Sequence, residues 1–374
     1  MAIVKFGDIV RDVKINVDRA NNPYEHYVAG DHMDSEDLTI HRYGNFETDD
    51  VGPAFTRIFK PGQILYGSRR TYLKKVAVAD FEGICANTTF VLESKDYSLF
   101  DNRLLPFIML SDAFTRWSIA HSKGSTNPYV LFSDLADYEF DLPPIAEQKV
   151  LAEKLWAAYR LKESYKKLLV ATEEMVKSQF IEMFGTIDEP KVEVKKLIDV
   201  VLSSGQYGSN TSATDYQEGK PRYIRITDIN DDGSLNDDIK TAEVIEDKYR
   251  LIPGDIVFAR TGATVGKTYM HETGNAIYAG YLIKYQMNES KMKPAFMKAF
   301  THSKTYYNWV ANSQKVGAQP NISAAQYDNM PVLVPQIEKQ EEFLAIYHQA
   351  DKSGFELRKS IDAIDSVIKS LINC

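Results

Sequence analysis

Cysteine is nearly absent from this 374-residue chain: only Cys85 and Cys374 occur, and they have no metal-ligand spacing. A disulfide framework or structural zinc site is therefore not expected, and a reducing cytoplasm fits. Long apolar runs are missing too. No stretch approaches the roughly 18 residues that a membrane span needs, and the first twenty residues lack the apolar core of a signal peptide. The expectation is a soluble, cytoplasmic protein with no membrane partner. The seven histidines (26, 32, 41, 121, 271, 302 and 348) are scattered, with no two four residues apart, so no metal site is expected. Excess positive charge is also lacking. The formal net charge is −8, whereas phosphate binding commonly shows as a basic balance. The basic residues are local, at Arg69-Arg70, Lys74-Lys75 and Lys220 to Arg225, while acids gather at 31–50 and 228–247.

Two near-motifs fail on inspection. Gly262 to Thr268 looks like a phosphate-binding loop but has three residues between its glycines where four are needed for the backbone to wrap a phosphate. Asn127-Pro128-Tyr129 is one proline short of the loop of amino-methylating DNA methyltransferases, and no Gly-rich cofactor loop precedes it. With no catalytic constellation and no cofactor site of its own, the chain is not expected to be an enzyme.

What is present is a repetition. Pro61-Gly62-Gln63-Ile64-Leu65 returns 192 positions on as Pro253-Gly254-Asp255-Ile256-Val257. Leu142-Pro143-Pro144-Ile145-Ala146-Glu147-Gln148 returns at the same offset as Val334-Pro335-Gln336-Ile337-Glu338-Lys339-Gln340. Two distant landmarks sharing one offset mark an internal duplication, and a unit of that length is a whole domain plus a connector. The chain is 44% hydrophobic, ample for real cores.

Residues 1–144 read as a first mixed α/β, β-rich domain, with short strands near Gln63–Tyr66, Lys75–Ala79 and Thr88–Leu92 and a helix over Leu105–His121. Residues 145–185 form a central helix: Ile145 to Phe184 has no Gly or Pro, and Gly185 with Pro190 closes it. Residues 186–336 repeat the β-rich texture, with strands at Tyr223–Ile226 and Asp255–Phe258. Residues 337–374 are the second helix, with Gly354 inside it as a candidate bend or close contact. Its seam of Leu357, Ile361, Ile364, Ile368 and Leu371 steps by four and three. The equivalent seam of the first helix is Tyr165, Leu169, Thr172, Val176 and Gln179. Each stripe could pack on its own domain. Matching stripes in a duplicated chain favour pairing of the two helices as an antiparallel coiled coil that spaces the domains.

Candidate contact residues cluster next to strand ends. In the first half they are Arg69, Arg70, Tyr72, Lys74 and Asn127. In the second they are Tyr207, Asn210, Arg222, Arg225, Arg260, Thr261, Lys267, Gln319 and Asn321. Arginine and lysine bond guanine O6 and N7, and asparagine and glutamine pair with adenine, so loops sharing one face are suited to read DNA.

The run Pro253 to Lys267, the word Gln319-Pro320-Asn321-Ile322-Ser323 and the run Leu142 to Gln148 resemble the DNA-specificity subunit of Type I restriction–modification systems over nearly the full length. The resemblance implies two target-recognition domains reading a bipartite double-stranded DNA target, with the paired helices as a ruler between half-sites. It further implies docking of two modification subunits, which carry S-adenosylmethionine and methylate adenine, and of a restriction subunit for cleavage. The first half departs from the pattern: Tyr66 to Leu73 lacks the Gly-x-x-x-Gly turn, so its base contacts are expected at Arg69 or Arg70, not at Ser68. A specificity module of a related Type II system and a coiled-coil scaffold without DNA selectivity are the alternative readings.

Overall fold

The computed structural model describes residues 2–18, 21–314 and 320–373. The chain divides into two compact units, one of residues 1–167 with 358–374 and one of residues 168–357. Each is built around the same four-stranded antiparallel sheet. In the first unit the strand order is Val10–Asp12, Thr89–Ser94, Ile64–Gly67, Val76–Val78. In the second it is Gln206–Tyr207, Leu282–Gln286, Asp255–Ala259, Thr268–Met270.

The runs 64–66 and 256–259 in these strands are apolar without interruption because both faces are covered. Alternate side chains of a strand point to opposite faces. Ile256 and Phe258 accordingly join one core with Ile283 and Tyr285, while Val257 and Ala259 join another with Leu282. The first unit divides in the same way, Ile64 and Tyr66 on one side and Leu65 on the other. Each unit also holds a parallel strand pair, Tyr27 opposite Ile84 and Tyr223 opposite Ile277.

The two long helices run over Ile145–Phe184 and Ile337–Ile372. Both begin on a buried glutamine. Gln148 Nε2 donates to the carbonyls of Leu99 (3.0 Å) and Pro143 (2.8 Å), and its Oε1 accepts from the Asp101 N–H at 2.9 Å. Gln340, 192 residues on, repeats all three bonds to Lys291, Pro335 and Lys293, each at 2.9 Å. The repeated glutamine is thus a structural fastener between helix start and domain. The first helix stops at Gly185, whose φ of +76° suits only glycine there, since a Cβ would fall 2.2 Å from the Glu189 carbonyl oxygen.

The helices pair antiparallel, the early half of one with the late half of the other. In the first unit Ile368 is buried and Ile364, Leu371 and Ile372 pack against a core that includes Ala152, Leu155 and Tyr159, while Lys162 meets Asp365. In the second unit Phe343 meets Phe180 and Phe184 edge-on at 5.3 and 5.6 Å, and Val176 and Tyr347 flank the same core. The late half of the second helix therefore packs in the first domain's core, not its own. Tyr165, Leu169, Leu357 and Ile361 are half-buried, and Gly354 is buried within the helix.

Two local expectations are corrected. The span Leu105–His121 is two helices, Leu105–Leu110 and Asp112–Ala120, because Ser111 is extended and its hydroxyl caps the second by accepting from the Phe114 N–H at 3.2 Å. The strand expected over Tyr223–Ile226 covers Arg222–Ile224. Arg225 instead opens a short 3-10 turn, its N–H held by the Asp228 carboxylate at 2.9 Å.

Candidate nucleic-acid interface

At the end of the Asp255–Ala259 strand the chain leaves the sheet and pairs with the segment from Pro320. Thr261 bridges Asn321, the Ile322 N–H donates to the Arg260 carbonyl at 2.8 Å, and the Gly262 N–H donates to the Pro320 carbonyl at 3.0 Å. The first unit repeats this arrangement at the same offset. Arg69 bridges Tyr129, the Val130 N–H donates to the Ser68 carbonyl at 2.9 Å, and the Arg70 N–H donates to the Pro128 carbonyl at 2.7 Å. The turn is therefore present in both halves.

Its sequence disguises it in the first. Gly262 and Gly266 have φ of +71° and +87°, and the residues at their places are Arg70 and Lys74, with φ of +51° and +47°. The expectation that the first half lacks the turn is overturned, because two basic residues adopt the left-handed backbone that glycine supplies in the second.

Within the second turn Arg260 is preset. Its guanidinium lies 4.8 Å from the centre of the Tyr207 ring, and Nη2 donates to Asn321 Oδ1 at 3.3 Å. The Tyr207 hydroxyl accepts from the Ala324 N–H at 3.0 Å, which fixes the ring. No carboxylate meets Arg260 among the described residues. A guanidinium resting on an aromatic face with unspent N–H groups is poised to donate to an external acceptor.

The remaining expected residues divide by their partners. Arg225 is held by Asp228 at 2.6 Å and Asp238 at 2.9 Å, Lys267 by Asp231 at 2.8 Å, and Lys74 by Glu36 at 3.0 Å and Asp112 at 3.4 Å. Arg225 has its pKa raised, first by its bond to Asp228. Arg222 donates to the Asn236 carbonyl and lies in the strand Arg222–Ile224, opposite Ala276. Arg69, Arg70, Tyr72 and Asn127 are exposed beside the first turn, and Asn210 is exposed against Gly280, where a Cβ would collide with its side-chain oxygen. Among the described residues neither Arg69 nor Arg70 has a side-chain partner. Gln319 lies outside the described residues.

Tyr129 was not among the contact residues expected from the sequence. It is the counterpart of Asn321, 40% exposed and bridged to Arg69. The offset from Asn321 was the available signal.

Among the described residues one group of side chains could in principle hold a metal ion. Asp37, His41 and Glu163 place ligand atoms within 4.8 Å of one another. The Lys166 ammonium reaches both carboxylates, at 3.2 and 2.8 Å, and so already occupies the cation position.

The Type I restriction modification DNA specificity domain model matches residues 22–171 and again 189–364, one match per copy of the duplication. The chain belongs to this family. It is similar to the Type I restriction enzyme EcoDI specificity subunit of Escherichia coli, 28% identical over 155 residues, which cover 41% of this chain and 33% of that one. It is also similar to the EcoKI specificity subunit of Escherichia coli strain K12, 22% identical over 294 residues, covering 69% of this chain and 62% of the relative. The chain thus matches one third to under two thirds of the length of these curated relatives. The crystal structure of the Type I restriction–modification S subunit from M. genitalium shares the fold, with a TM-score of 0.62 at 14% identity over 99% of this chain and 94% of that one. So does a chain described under the structural basis of complex assembly and conformational transition of the type I R-M system, with a TM-score of 0.58 at 18% identity over 99% of this chain and 96% of that one. Among the described residues no helix is long and apolar enough to cross a membrane.

Proposed function

We propose that this specificity-family chain targets a Type I restriction–modification assembly to a bipartite DNA sequence. Each unit presents its turn to one half-site, and the paired helices set the spacing between half-sites. Adenine methylation and cleavage belong to two modification subunits, which bring S-adenosylmethionine, and to a restriction subunit. The observation that carries the reading is the duplicated turn: one backbone scaffold used twice, bearing uncompensated arginines at different positions, Arg69 and Arg70 in one copy and Arg260 in the other. Reading two different half-sites calls for a constant scaffold with variable contact side chains. The overall charge of −8 does not oppose this, because the acids compensate Lys74, Arg225 and Lys267 and, among the described residues, leave those arginines without a carboxylate. Major-groove reading by arginine is worth about 1–3 kcal/mol per bidentate pair.

The test is long-read mapping of N6-methyladenine in cells co-expressing this chain with its modification subunit. A two-part motif with a fixed spacer, absent without the chain, is the expected result. Methylation independent of the chain, or none with a folded and bound modification subunit, overturns the reading and favours a scaffold.

A further inference from the structure

The two copies of the turn solve the same backbone problem differently. In the second, the third residue of the turn is Gly262, which adopts a φ of +71° freely and has open space where a Cβ would be. In the first, the same place is held by Arg70 at φ +51° and ψ +55°. A side chain in this region crowds the following carbonyl, so an arginine is kept there only against a standing energetic penalty. The other left-handed basic residue, Lys74, has an internal reason to be there, since its ammonium binds Glu36 and Asp112. Arg70 has none. Its N–H and carbonyl make only turn bonds that glycine would make equally well, and its guanidinium is exposed without a partner among the described residues.

Resting on the DNA-targeting reading above, we propose that Arg70 is a specificity-determining residue of the first unit, its guanidinium reading a guanine in the first half-site. The charge that the second unit carries on Arg260 has moved two places along the turn, since the counterpart of Arg260 is Ser68, whose hydroxyl is spent on the Thr88 carbonyl at 2.6 Å. A phosphate contact would not call for the strained place. Arg69 stands beside it on ordinary backbone, and any flexible cation serves a phosphate. A forked guanidinium held at one point of the turn matches the paired O6 and N7 acceptors of guanine.

The experiment compares wild type, Arg70→Gly and Arg70→Lys, each co-expressed with the modification subunit, by N6-methyladenine mapping and thermal unfolding. Arg70→Gly is expected to be at least as stable as wild type and to keep the second half-site and spacer. One guanine-bearing position of the first half-site becomes unspecified, with discrimination there falling about ten-fold or more. Arg70→Lys loses the same position, because it keeps the charge without the fork. If a variant abolishes methylation, the purified assembly is titrated with duplexes carrying each base pair at each position of the first half-site. Equal affinity for all four pairs at one position supports the assignment. An unchanged first half-site, or uniformly weaker binding with every position still discriminated, overturns it. In either case the wild-type motif stands, so the targeting reading survives. A wild-type chain that directs no two-part motif overturns both.

Discussion

The phenol of Tyr159, on the first long helix, donates to the Asp37 carboxylate at 2.7 Å while accepting from the Leu38 N–H at 3.0 Å. With Lys166 bonding the other carboxylate oxygen at 3.2 Å, this ties the loop carrying Glu36 to the helix. Burial pushes the Asp37 carboxyl up, but bonds from the Thr39 N–H, Tyr159 and Lys166 outweigh it and leave the group below its ordinary 3.8. A depressed carboxyl stabilises the fold above its unfolded pKa and ceases to do so as pH falls through the folded value. The melting-temperature gap between wild type and Asp37→Asn should hold steady from pH 8 to 5 and close below about pH 4. A gap unchanged down to pH 3 would show that the carboxylate charge contributes nothing.

Replacing either fastener glutamine should destabilise its own unit. Gln148→Leu strands the Asp101 N–H and two carbonyls, and Gln340→Leu does the same at the second site. Each should cost about 2–4 kcal/mol in urea unfolding. A cost below half a kilocalorie at either site would mean that water replaces the amide.

Arg57 is buried against Asp12 at 2.9 Å and also donates to the Thr89 carbonyl at 3.0 Å. Burial raises the Asp12 pKa, with Arg57 opposing it. Arg57→Ala leaves the buried carboxyl with only the Val91 N–H at 3.3 Å and the exposed Lys14 at 3.9 Å and should destabilise by about 3–5 kcal/mol, with part of the loss recovered by adding Asp12→Asn. Strict additivity of the two changes in denaturant titration would contradict the pairing.

Tyr207 lies under the Arg260 guanidinium, so if Arg260 reads the second half-site, loss of the ring should affect that half-site alone. Tyr207→Leu is expected to reduce discrimination at one position there by about 0.5–2 kcal/mol, while Tyr207→Phe keeps the ring and most of the selectivity. Methylation mapping would refute this if the first half-site changed instead.

If the helices set the spacer, one heptad inserted after Lys167 and another after Leu357 keeps the seam in phase and adds about 10 Å. The motif spacer should lengthen by roughly three base pairs at about 3.4 Å each, with both half-sites unchanged. A changed half-site would refute the ruler.

Features set by local chemistry were legible in the sequence. The Pro-Gly strand starts, the run without Gly or Pro from Ile145 to Phe184 and the repeated glutamine words announce themselves within a few residues. The disguised turn did not, because Arg70 and Lys74 adopt a backbone that only glycine advertises. Nor could sequence sort the cations, since Lys74 is compensated by Glu36 and Asp112 and Lys267 by Asp231, all distant along the chain. The break at Ser111 was hidden because a serine that caps one helix also passes as an interior residue of a longer one.

The composition of the first unit has a consequence for biosynthesis. Its core includes Ile368, and its residues come from 1–167 and 358–374, whereas the second unit is one continuous span. On a ribosome the usual order, earlier domain first, is therefore inverted. The second unit is complete in sequence before the first can close. The nascent first domain waits for about 190 further residues, roughly ten to forty seconds at ordinary synthesis rates. Until then the core that Leu155 and Tyr159 share with Ile368 lacks its last contributor, a window in which a chaperone would matter more to the early half of the protein than to the late one.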